Sequence, residues 1–346
     1  MRRRLAVLAA GLAVVGACSG DVSLPSAIEA PATTSTTAAP TTSLPADTTG
    51  CVGGDRSTPG YNATRSYAPD GPLPNAGTMP GGSTMADIVA RGTLRVGVSA
   101  DTLLFGYRDP FTGSIDGFDV DMLTYVAQAL FGGTFDEARD RLEFRVITYS
   151  QRLPSLEKRD VDLVAHTMTV NCGRWQRIAF SSEYFAAGQR VLVKVGSGFD
   201  GVEALVAAQA TVCAPADSTN FEELSKPAYD GLELIVRPDV TDCLVAMQQG
   251  QADAASGDDT VLAGFAAQDP TTEVVGDQFT YEPYGIGVNA AQVDLVQFVN
   301  GVLEQVRSDG RWKASYEKWL VPTLTATANE IPAPPTAEYG RPEPQS

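Results

Sequence analysis

Residues 160–181 read DVDLVAHTMTVNCGRWQRIAFS, and no other stretch constrains the fold as strongly. Val161, Leu163, Val164 and Ala165 make a near-continuous apolar run. That is the pattern of a strand covered on both faces, as in parallel sheets flanked by helices. His166, Thr167 and Thr169 fall where this strand should end. Asn171 is placed to cap a short helix and Arg174 lies in the turn behind it, so hydroxyls, backbone N–H groups and a guanidinium converge on one spot. Such a spot suits a carboxylate. An arginine fork offers it two parallel hydrogen bonds, and open parallel sheets hold ligands at their C-terminal edge.

The rest of the central chain alternates in the same way. TLRVGVS from Thr93 and LEFRVITY from Leu142 read as strands; VDMLTYVAQALFG from Val120 and LPSLEKRD from Leu153 read as helices, the first capped by Asp119. QRVLVKV from Gln189 is placed to cross into a second domain that repeats the rhythm through ATVCA, a helix near Phe221 to Leu224, ELIVR, CLVAMQQG and ADAAS. YGIGVN at Tyr284 to Asn289 reads as the return crossing, and helices over Val293–Arg307 and Arg311–Trp319 close the chain. The spacing of Trp312, Tyr316 and Trp319 predicts core packing rather than a stacking platform.

The two ends differ in composition from this centre. Arg2, Arg3 and Arg4 precede an apolar run and the sequence Val15-Gly16-Ala17-Cys18. This is similar to a bacterial lipoprotein signal over 1–17, with Cys18 receiving lipid and becoming the first mature residue, and no later segment has the length of a membrane span. Residues 18–82, rich in Thr, Ser, Pro, Ala and Gly, read as a flexible stalk, and residues 322–346 as a Pro-rich tail. The folded part divides into domain 1, made of 83–189 and 284–321, and domain 2, 190–283. Without the signal arginines, 22 basic residues face 42 acidic ones, a formal charge of −20, which makes nucleic acid a poor partner. Beyond Cys18, four cysteines remain and allow three pairings. Cys213–Cys243 with Cys51–Cys172 is preferred, and the spacings do not match a zinc site.

RGTLRVGV, GFDVDML, VDLVAHTMTV followed by Arg174, Arg177 and FS, QQGQADAASGDDT and RSDGRWKASYEKWL occur in the order of the family 3 extracellular solute-binding proteins. The chain resembles that family over about Ala86 to Leu320, and within it the actinobacterial lipoproteins that bind glutamate, glutamine or aspartate. The resemblance implies an α/β, two-lobed periplasmic-binding-protein fold of type II: two Rossmann-like domains joined by a two-strand hinge that close over an amino acid. It implies that Arg174 forks the ligand α-carboxylate, with the Thr169 hydroxyl and Thr167 backbone beside it. Asp258 would take the α-ammonium, Tyr149 would form a wall, and Ser218 and Thr219 would close from domain 2 in a loop carrying Asp217 where relatives usually have glycine. Ser99 and Thr102 stand where relatives often place an acid and a ring, which argues against a cationic or aromatic ligand side chain.

A zwitterion needs fixed positive charge at one end and fixed negative charge at the other, and splitting them between domains makes closure depend on ligand. The expected function is ligand capture for an ABC permease by a monomer anchored outside the cell membrane, without cofactor or metal. Signalling to a membrane receptor, or a dehydratase on the same fold, are the alternatives. His166 is more often a packed residue; in the cleft it would favour a ligand side-chain carboxylate, with affinity falling between about pH 6 and pH 8.

Overall fold

The computed structural model describes residues 62–324 and 331–341. Residues 161–165 are buried, and the strand within them, Leu163–Val164, is the middle of a five-stranded sheet. Leu94–Val98 lies parallel to it and pairs in turn with the parallel strand Leu142–Val146. On its other side Gly287–Asn289 runs antiparallel, between it and Ile178–Phe180. A second sheet repeats this plan. Glu233–Arg237, Thr211–Pro215 and Ala254–Asp258 are parallel, and Gln189–Lys194 runs antiparallel between Ala254–Asp258 and Thr272–Val275. Helices between the parallel strands cover the faces, as their apolar runs require.

The chain passes between the sheets twice, through Phe185–Ala187 and Glu282–Tyr284, which pair as an antiparallel ribbon. Both crossings fall a few residues before the positions read from sequence, because Gln189–Lys194 already belongs to the second sheet and Gly287–Asn289 to the first. Aromatic rings seat this ribbon. Phe185 packs edge-on against Phe105 and Phe118, at 5.2 and 5.5 Å, and Tyr316 stacks on it at 6.2 Å. Trp312 meets Phe118 at 5.7 Å and donates its indole N–H to the Tyr184 carbonyl at 2.7 Å, so the core role read from the aromatic spacing holds for Trp312 and Tyr316. The closing helices are Val293–Ser308 and Arg311–Trp319.

Asp119 does not cap its helix. Phe118–Phe131 begins at Gly117, whose φ of 144° and approach to Phe105 exclude a side chain: a Cβ there would sit 2.1 Å from the Phe105 oxygen. Asp119 is turned inward instead, accepting from the Thr167 N–H at 2.9 Å and the Tyr184 hydroxyl at 2.6 Å. Burial pushes its carboxyl up to about 6.

Parts of the segments read as stalk and tail, residues 62–67 and 338–341, pack against the first lobe. Ala63, Ser66 and Tyr67 are buried; Ser66 bridges Tyr339, the Ser66 N–H donates to the Glu338 carbonyl at 2.9 Å, and Arg341 lies 3.6 Å over the Trp175 ring. Asn300, fully buried in helix Val293–Ser308, donates to the Ser66 hydroxyl at 2.9 Å and the Tyr67 carbonyl at 2.7 Å while accepting from the Ser182 N–H. Such segments cannot bury themselves, but the surface of the first lobe supplies both apolar cover and hydrogen-bond partners. Cys213 and Cys243 form a disulfide, as preferred. Cys172 is also disulfide-bonded; Cys51, its expected partner, and Cys18 lie outside the described residues.

Replacing Asn300 by Ala would take the side-chain acceptor from the buried Ser182 N–H and the amide donor from Ser66 and Tyr67, at about 1–3 kcal/mol for each buried group whose bond is lost. We expect Asn300→Ala to lower the urea midpoint by an amount equivalent to about 3 kcal/mol with an unchanged slope. An unaltered midpoint would mean that residues 62–67 are not part of the cooperative core.

Candidate functional site

The ends of the parallel strands of both sheets face each other across a cleft. From the first sheet, Leu163–Val164 runs into residues 165–170, which lie antiparallel to the return strand through a bridge between Thr169 and Tyr284. Thr167 takes a positive φ of 42°, held by Asp119. Asn171 caps Cys172–Trp175 by accepting from the Arg174 N–H at 2.8 Å, which aims the Arg174 side chain back at the strand end. Its guanidinium donates to the Thr169 carbonyl at 2.7 Å and to the Asp217 carbonyl of the facing lobe at 3.2 Å.

Arg152 is the residue that sequence reading missed. It opens helix Arg152–Glu157 and is 1 % exposed, with its guanidinium carbon 4.1 Å from the centre of the Tyr149 ring. It donates to the carbonyls of Tyr149 at 3.1 Å, His166 at 3.2 Å and Asp217 at 3.2 Å. Two buried arginines therefore converge on one neutral oxygen. Burial, then the Arg174 charge, bring Arg152 down to about 9, and burial also lowers Arg174. Arg152 went unread because a cation at the start of a helix ordinarily points to solvent; the apolar pair Leu153 and Pro154 behind it was the available sign of a buried face.

Asp217 supplies that oxygen from a positive φ of 55°. The position calls for the left-handed backbone that glycine provides, and aspartate is among the side chains that tolerate it. The loop departure seen in sequence therefore keeps the required conformation. Ser218, expected to close on the ligand, uses its hydroxyl otherwise: it caps Thr219–Leu224 by accepting from the Phe221 N–H at 3.0 Å and donates to the Pro215 carbonyl at 2.7 Å. Thr219 does reach the cleft, its hydroxyl 3.3 Å from that of Thr169.

Asp258 ends its strand in the second lobe, accepting from the Asn220 amide at 2.8 Å and the Tyr284 hydroxyl at 2.5 Å. Burial first, and then the nearby Glu282 charge, push its carboxyl up to about 7. A cavity of about 620 Å³ opens beside Arg174, lined by Tyr149, Arg174, Asp217, Thr219, Glu222 and Glu282 among others. Ser99 and Thr102 bond to each other at 2.9 Å and lie outside this lining.

His166 is packed, the reading its residue type favours. Its ring is buried behind Tyr149, edge-on at 5.1 Å, and its Nε2 bonds the Ile147 carbonyl at 3.1 Å. Burial and the Arg152 charge pull it down to about 3, so the ring is neutral and outside the cavity lining. The side chain of a residue at a strand end points to one face or the other, and here it faces the packed side.

Two repeated α/β lobes on an antiparallel ribbon, with cationic groups on one lip and an acid on the other, define a cleft-closing binding protein. The chain belongs to the bacterial extracellular solute-binding proteins, family 3, whose model matches residues 94–322. It is 34 % identical over 237 residues to the ABC transporter glutamine-binding protein GlnH of Bacillus subtilis (strain 168), covering 68 % of this chain and 84 % of that one. It is 28 % identical over 262 residues to the glutamate-binding protein GluB of Corynebacterium efficiens, covering 73 % and 85 %. Among solved structures, holo ArgBP from T. maritima matches with a TM-score of 0.59 and 32 % identity over 68 % of this chain and 98 % of that one. The fold is thus the two-lobed type II periplasmic-binding-protein fold, and the family is extracytoplasmic.

An ammonium held against Asp258 would give a pH response. Burial and the Glu282 charge hold the free carboxyl up at about 7, and a cation beside it would lower that value. The affinity contribution is complete above the free value and lost as pH falls through it. Calorimetry should show affinity for an ammonium-bearing ligand level above about pH 8 and weakening by up to about tenfold per unit below about pH 7. Affinity that instead falls from pH 6 to pH 8 would restore the role first expected of His166.

Proposed function

We propose that this protein captures an acidic amino acid, glutamate or aspartate, in the cleft between its lobes and delivers it to an ABC importer. One observation carries the choice of ligand: Arg152 and Arg174, both buried, meet on the single neutral carbonyl of Asp217. A neutral oxygen cannot balance two desolvated cations, and the Asp217 carbonyl stands where a ligand carboxylate oxygen would offset them. An amino acid with one carboxylate satisfies Arg174; a second carboxylate satisfies Arg152, which a side-chain amide matches only through a weaker neutral acceptor. Asp258 takes the α-ammonium, Tyr149 walls the pocket, and Thr167, Thr169 and Thr219 fill the remaining hydrogen-bonding positions.

The working unit is a monomer with domain 1 over 83–189 and 284–321 and domain 2 over 190–283, held outside the membrane by lipid on Cys18. It acts by binding and not by catalysis. The relatives' names, which refer to glutamine and glutamate binding, support an amino-acid ligand of this size.

Calorimetry against the amino acids tests the reading. Wild type should bind glutamate or aspartate at least about tenfold more tightly than glutamine, a difference of ~1.4 kcal/mol. Arg174→Lys should weaken every ligand by about 2 kcal/mol, because a lysine cannot fork a carboxylate. Arg152→Met, which fills the buried position without charge, should weaken glutamate far more than glutamine. Glutamine binding as tightly as glutamate in wild type, or an Arg152→Met variant that loses both equally, would overturn the acidic-ligand assignment.

A further inference from the structure

Glu282 has no role in the reading so far, yet it lines the cavity together with Glu222 and Glu223. It lies on the return strand of the hinge ribbon and is 1 % exposed. One oxygen, Oε2, accepts from the Thr169 hydroxyl of the first lobe and the Thr219 hydroxyl of the second, each at 2.7 Å. The other accepts from Thr280 at 2.5 Å. Asp258, by contrast, is absent from the cavity lining and already accepts from Asn220 and Tyr284.

A bound ammonium brings three N–H donors into a site shut off from water, and each needs an acceptor. A carboxylate offers about four lone-pair positions, so Asp258, with two occupied by protein donors, has about two to give. A second negative charge facing the cavity would hold the ammonium more firmly than Asp258 alone. Glu282 is near enough for its charge to raise the Asp258 carboxyl, and it faces the cavity that Arg174 and Tyr149 also line. Two buried acids side by side repel each other, and a cation placed between them removes that repulsion.

We propose that Glu282 is a second acidic anchor for the ligand's ammonium group and, with Asp258, determines that the site takes amino acids rather than the corresponding acids without an amine. The hydroxyls of Thr169 and Thr219 position it, one from each lobe, so the anchor is completed where the lobes meet. The proposal rests on the assignment of an amino-acid ligand.

The test compares glutamate with glutarate, the same five-carbon diacid without its amine, by calorimetry on the full chain. The same comparison is run with glutamine and glutaramate, so that the ligand side chain does not bear on the result. Wild type should prefer the amine-bearing partner of each pair. Glu282→Gln keeps the shape and an acceptor for the threonines but removes the charge; it should weaken the amine-bearing ligands tenfold or more and leave the des-amino ligands unchanged or tighter. Glu282→Asp, with the charge drawn back, should retain more of the preference than Glu282→Gln. Equal weakening of both members of a pair, or an unchanged preference in Glu282→Gln, would reduce Glu282 to a packing role and overturn the proposal while leaving the amino-acid assignment standing. A wild type that binds neither glutamate nor glutamine would overturn the assignment itself, and this anchor with it.

Discussion

Desolvating two guanidinium groups side by side is costly, and much of the cleft is organised to contain that cost. Arg152 and Arg174 are wrapped by carbonyl oxygens from Tyr149, His166, Thr169 and Asp217, all of them backbone and all neutral. Backbone carbonyls can be presented this way only where strands end and the chain leaves regular structure. The positive φ values at Thr167 and Asp217 are the local expression of that demand, one in each lobe. Tyr149 adds its ring face beneath Arg152. Backbone oxygens thus solvate the cations, and acid charges act on them as well: Asp258 and Asp239 on Arg152, and Glu222, Glu282 and Asp258 on Arg174.

The opposite end obeys the same logic with the sign reversed. Asp258 and Glu282 are surrounded by hydroxyls and an amide that donate to them, from Tyr284, Asn220, Thr169, Thr219 and Thr280. Several of these donors come from the opposite lobe or from the hinge ribbon, so the polar network ties the two lobes and the ribbon together.

Local patterns in the chain were legible where a single segment decides the outcome. The apolar run at 161–165, the Asn171 cap, the alternation of strands and helices and the core spacing of Trp312 and Tyr316 depend on neighbours a few residues away. What was not legible depends on contacts between distant segments. Arg152 is turned inward by the Tyr149 ring and the 166–167 turn; Asp119 leaves the helix start because Thr167 and Tyr184 offer it donors; and Glu282 matters because two lobes meet at its side chain. The docking of residues 62–67 and 338–341, within segments read as stalk and tail, was not legible for the same reason. Composition reports whether a segment can bury itself, and it is silent about a surface folded elsewhere that can receive it.

Those docked ends have a mechanical consequence. Residues 62–67 and 338–341 lie together against Trp175, in the lobe that carries Arg174, and Cys172 is disulfide-bonded in the same short helix. Tension entering through either described end is borne there, upstream of the ribbon formed by Phe185–Ala187 and Glu282–Tyr284. The two described ends therefore share one anchorage on the first lobe, and a load applied at either would reach that lobe before it reached the ribbon.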